Sequence, residues 1–169
     1  GSPERDFKTP AIKDLLWSTS KLATYVKRGW KILYCLRDPR DVITSRHADN
    51  RPGEYFCDAD LWIQATQRAL PLLTEPNVHT VRYERMVAEP QAQMERVATF
   101  LDLAFDDSWI DRFHEAPAKG DLSFAFRPIT TRSVGTWRKP EHQARIASEF
   151  ARDGLMLDRL LTILGYDEA

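Results

Sequence analysis

Leu36-Arg37-Asp38-Pro39-Arg40-Asp41-Val42-Ile43-Thr44-Ser45 follows an apolar run, Lys31-Ile32-Leu33-Tyr34-Cys35, that reads as a short buried strand. A strand that ends in Arg and turns through Asp-Pro into a helix sets a fixed cation beside a helix start. Free N–H groups and a bidentate guanidinium there make an anion site. Asp38 is a good N-cap, Pro39 suits the first helical position, and Asp41 is the acid expected three positions after a cap. From Pro39 the helix is expected to run towards His47. Ser45 lies two turns into it, seven residues after Asp38, so Arg37 and Ser45 are expected to face one ligand. The plainer reading is a capped turn whose arginines are solvated or paired with Asp38 and Asp41.

Outward from this turn the chain alternates. Ala11 to Lys27 carries a helical period, and Ala59 to Leu73 another. Val78-His79-Thr80-Val81-Arg82-Tyr83 reads as a second strand, and Glu89-Pro90 opens a helix through Phe100-Leu101. Ser108 to Phe113 is a short helix. Ala116 to Lys139 is irregular, and Pro140 onward is helical with a break near Asp153-Gly154. Strand, helix, helix, strand, helix is the grammar of an α/β fold: a parallel sheet flanked by helices with right-handed crossovers. Ligands in such sheets sit beyond the carboxyl ends of the strands, where Arg37 and Tyr83-Glu84 both emerge.

Length and composition bound the rest. The chain of 169 residues suits one domain, 1–169, and its 43% hydrophobic content is enough for a real core. A net charge of −1 argues against a broad nucleic-acid or membrane surface, so anion binding must be local. No apolar run reaches membrane length and no signal-peptide pattern opens the chain. Cys35 and Cys57 are the only cysteines; Cys35 is expected in the core, and neither a disulfide framework nor metal-ligand spacing is indicated. A cytoplasmic, reducing location is expected. Gly1-Ser2 reads as a cloning scar.

Four segments in order resemble the sulfotransferases that use 3′-phosphoadenosine 5′-phosphosulfate (PAPS), bacterial members above all. They are Arg37-(seven residues)-Ser45, Val81-Arg82-Tyr83-Glu84-Arg85-Met86, the Glu89-Pro90 helix ending Phe100-Leu101, and Ser133-Val134-Gly135-Thr136-Trp137-Arg138. The closing Leu164-Gly165-Tyr166 is a further likeness. The resemblance implies a P-loop-type sulfotransferase fold, incomplete here, because nothing matches the family's Pro-x-x-Gly-Thr phosphate loop and the chain is expected to begin just after it. It implies that Arg37 and Ser45 hold the donor's 3′-phosphate and that Tyr83 places the adenine. It further implies that Gly135 and Trp137 shape a loop over the nucleotide, with Arg127, Arg132 and Arg138 as further phosphate cations. Lys8 would lie near the bridging oxygen.

The reaction implied is sulfuryl transfer to a hydroxyl or amine on a small-molecule or carbohydrate acceptor, leaving adenosine 3′,5′-bisphosphate (PAP), with no metal. Pro10 stands where some members carry a basic His, so His47 is a candidate base by residue type, with His114-Glu115 behind it. Trp62 and Trp109 read as core, His79 and His142 as structural or solvated. Glu54-Tyr55-Phe56 is either an acceptor entrance or an ordinary loop. Two rivals stand. One is a non-catalytic sulfotransferase-like nucleotide-binding or interaction module. The other is a nucleotide-kinase-type phosphoryl transferase, which the lack of Gly-x-x-x-x-Gly-Lys-Ser/Thr counts against.

Overall fold

The computed structural model describes residues 19–46, 54–106, 108, 110 and 130–167. Two strands, β1 (Ile32–Leu36) and β2 (Val78–Arg82), run parallel, with Ile32 opposite Val78 and Leu36 opposite Arg82. Helix α1 (Thr19–Lys27) precedes β1. The crossover passes through α2 (Pro39–Ile43), α3 (Ala59–Ala69) and a 3-10 turn at Leu70–Leu72. After β2 come α4 (Tyr83–Ala88), α5 (Pro90–Leu101), 3-10 turns at Thr131–Ser133 and Thr136–Arg138, and α6 (Pro140–Leu164).

The core lies where α2, α3 and α6 pack on the inner face of β1. Leu36, Ile43, Ala59, Trp62, Ile63, Leu157, Leu160, Leu161 and Leu164 form one buried cluster, and Trp62 is only 2% exposed. Trp62 is therefore core, as its apolar helical face implied. α5 covers the opposite face at β2, where Phe100 stacks on His79 at 5.2 Å. That helix leaves Leu33 38% exposed and Cys35 exposed as well. β1 is thus half-buried rather than buried, and Cys35 is not a core residue. An apolar run reports what a residue can tolerate, whereas burial depends on which face finds a partner.

α2 differs from expectation in length. It ends at Ile43, and two hydroxyls just beyond it take up carbonyls of its only turn. Thr44 Oγ1 donates to Arg40 O at 2.7 Å, and Ser45 Oγ donates to Asp41 O at 2.7 Å. Hydroxyls that bond back to carbonyls compete with the helical ladder. Arg46 then forms an isolated antiparallel bridge with Tyr55. α4 was not legible, because Tyr83 to Ala88 follows a β-rich run without a capping side chain. The break near Asp153-Gly154 is present as a non-helical Asp153 (φ −128°, ψ 15°) inside α6. Among the described residues, no helix is long and apolar enough to cross a membrane.

Candidate functional site

The carboxyl ends of β1 and β2 carry Arg37 and Tyr83 to the same edge of the sheet. The Arg37 guanidinium lies 4.6 Å from the Tyr83 ring centroid, a cation–π contact. Its Nη2 donates to the Ser133 carbonyl and lies 3.7 Å from Asp41 Oδ2. Its Nε is buried and meets no hydrogen-bond partner among the described residues. A half-exposed cation with one donor unspent, beside an aromatic ring, suits an anion attached to a flat base.

Asp41 joins this edge to the loop from Ser133 to Arg138. Its carboxylate accepts from Gly135 N at 2.8 Å, Thr136 Oγ1 at 2.9 Å and Trp137 N at 3.0 Å. It does not reach back to the Asp38 amide as a capping box requires. That amide donates instead to Glu84 Oε1 at 2.8 Å. Three donors on the loop outweigh the single amide a capping box offers. Asp38 itself caps α2 as expected, its Oδ1 accepting from Arg40 N at 2.9 Å. With that amide spent and Pro39 lacking one, the positive charge here comes from Arg37 rather than from the helix start.

Arg40 follows the plainer reading. It is buried, ion-paired to Asp38 at 2.7 Å, bonded to the Tyr166 carbonyl at 2.9 Å and laid over the Trp137 ring at 4.2 Å. Arg138, exposed, lies 4.5 Å from the same ring centroid.

A family model described as a sulfotransferase domain matches residues 18–118, more than half of the chain. This chain belongs to the sulfotransferase family. No curated protein and no solved structure matches the chain. The matched span holds Arg37, Ser45 and Tyr83 but stops before Ser133, and the late loop is tied to it by the Asp41 contacts, the Arg37–Ser133 hydrogen bond and the Arg40–Trp137 stack.

The other expected residues divide plainly. Ser45 sits just beyond α2 with its proton directed at the Asp41 carbonyl. Arg132 is exposed on the loop, and Gly135 (φ 69°) is in the left-handed region that favours glycine. Lys8, His47, Arg127, Trp109 and His114-Glu115 lie outside the described residues. Two shallow, open grooves lie elsewhere among the described residues, one lined by Glu89, Pro90, Glu95 and Ile110, the other by Lys27, Lys31, Asn77 and Phe100. Tyr55 carries the Arg145 guanidinium at 4.4 Å. No cluster of three or more His, Cys, Asp or Glu side chains able to hold a metal ion occurs among the described residues.

Sequence reasoning overlooked the roles of Asp41 and Glu84. Asp41 meets a loop 94 residues away, and no local pattern announces such a contact. Glu84 Oε2 also accepts from the Tyr166 hydroxyl at 2.9 Å, a contact across 82 residues.

Proposed function

We propose that this domain transfers a sulfuryl group from PAPS to a hydroxyl or amine acceptor and releases PAP. Arg37 and Ser45 take the 3′-phosphate, Tyr83 orients the adenine, and the Gly135–Arg138 loop closes over the nucleotide with Arg127, Arg132 and Arg138 adding charge. Lys8 serves the bridging oxygen and His47 is the candidate base. Sulfuryl transfer is an in-line displacement, so the chain's task is to align donor with acceptor and neutralise charge on the leaving oxygen. The observation that carries the reading is Arg37: stacked on Tyr83, with a buried Nε left without a partner, at the shared edge of both strands. Ser45 must release the Asp41 carbonyl to grip phosphate.

Calorimetry with PAP and with adenosine 5′-monophosphate tests the assignment. Arg37→Ala is expected to weaken PAP binding at least tenfold, the value of a charge-assisted bond of about 1.5–3 kcal/mol, and to weaken monophosphate binding much less. Equal losses for both ligands remove the 3′-phosphate assignment.

One observation favours the rival reading as a non-catalytic module. Arg37 Nη2 and Ser45 Oγ both already bond to the chain's own carbonyls, those of Ser133 and Asp41. A folded wild-type chain that neither binds PAP nor transfers a sulfuryl group decides for that rival.

A further inference from the structure

Asp41 belongs to no ligand-contacting set described above, yet more of the site's parts converge on it than on any neighbouring side chain. Its side chain is 0% exposed. Oδ1 takes the Thr136 hydroxyl and the Trp137 amide, while Oδ2 takes the Gly135 amide and faces Arg37 Nη2 at 3.7 Å. A carboxylate can accept about four hydrogen bonds, so this one is nearly saturated by consecutive residues of one loop. A buried carboxylate needs a cation as well as donors, and Arg37 supplies it.

The contacts close a ring. Asp41 holds Gly135 to Trp137; two residues before Gly135, the Ser133 carbonyl receives Arg37 Nη2; and Arg37 stands four residues before Asp41, just ahead of the α2 cap. Gly135 takes the left-handed conformation (φ 69°), which an L side chain would strain, so the turn that presents its amide to Asp41 favours glycine.

We infer that Asp41 is the positioning residue of this site: it locks the Gly135–Trp137 loop in register and sets the Arg37 guanidinium over Tyr83 without itself touching ligand. The inference rests on the nucleotide reading above for what the register serves. It does not rest on it for the clamp itself.

The test is Asp41→Asn in the full chain. The carboxamide oxygen still accepts from Thr136 and Trp137, but its NH2 faces the Gly135 amide and Arg37. Amide hydrogen exchange at Gly135 is expected to accelerate at least tenfold while a cooperative thermal transition is retained. PAP affinity is expected to fall at least tenfold, with a much smaller loss for adenosine 5′-monophosphate. General loosening would weaken both ligands alike.

Unchanged exchange at Gly135, or equal losses for both ligands, overturns the proposal. Should Asp41→Asn fail to fold, Thr136→Val removes one donor from the carboxylate alone. A selective loss of PAP affinity of several-fold then supports the clamp, and no change overturns it. Where the wild-type chain binds no PAP, the nucleotide reading fails and the Gly135 exchange rate alone decides whether Asp41 holds the loop.

Discussion

Arg37 and Arg40 stand three positions apart in one turn and meet opposite fates. Arg40 is buried against Asp38, Trp137 and the Tyr166 carbonyl, while Arg37 remains partly exposed with an unspent donor. Both read alike in sequence, because each lies beside an aspartate. Cys57 is a second case in which surroundings set the chemistry. Burial pushes its thiol from 9.0 up to about 12, with Asp58 and Glu149 adding to the shift and Arg145 opposing it. The folded chain therefore holds this proton more tightly than the unfolded chain does. The stability it contributes is whole below pH 9.0 and is lost as pH rises towards about 12. Urea unfolding across that window is expected to show a decline that Cys57→Ala makes shallower. Iodoacetamide at pH 9 is expected to label Cys57 only on unfolding.

Among the helices, α3 and α6 are joined by a charge as well as by the apolar cluster. Glu149 on α6, 1% exposed, accepts from the Ala59 amide at the start of α3 at 2.8 Å and pairs with Arg145 at 2.6 Å and Arg152 at 2.7 Å. A carboxylate at a helix start is favourable, and two arginines compensate its burial. Glu149→Ala leaves the Ala59 amide without its acceptor and the part-buried Arg145 without its partner. It is expected to cost about 3 kcal/mol in urea unfolding, whereas Arg152→Ala, at the exposed end, is expected to cost about 1 kcal/mol or less. The elements were legible where periodicity ran long: α3, α5 and α6 follow their apolar spacing, and the parallel pairing follows from the strand–helix–strand order. The length of α2 was not, since Thr44 and Ser45 are compatible with a helix until their hydroxyls take its carbonyls.

Across the whole molecule, the last described segment ties both strand ends together. The Tyr166 hydroxyl donates to Glu84, whose other oxygen receives the Asp38 amide; the Tyr166 carbonyl receives Arg40; and Arg82 donates to the Leu164 carbonyl. Burial raises the Tyr166 phenol well above its ordinary value, helped by the Glu84 carboxylate, so it keeps its proton well into the alkaline range. Tyr166→Phe keeps the packing and strands one carboxylate oxygen. It is expected to lower stability by about 1–3 kcal/mol in urea unfolding. Equal stability of the variant would show that the network adds nothing beyond the ring's burial.

The order of apolar periods and the Asp-Pro turn by themselves determined an α/β chain with a cation at a strand end, because helix, strand and cap preferences act over a few neighbouring residues. The tertiary structure alone decided which arginine is buried, which face of β1 is covered and which carboxylate holds the late loop. Those outcomes depend on desolvation and on donors brought together from some 80 to 130 positions apart, at Tyr166–Glu84, Gly135–Asp41 and Arg40–Tyr166.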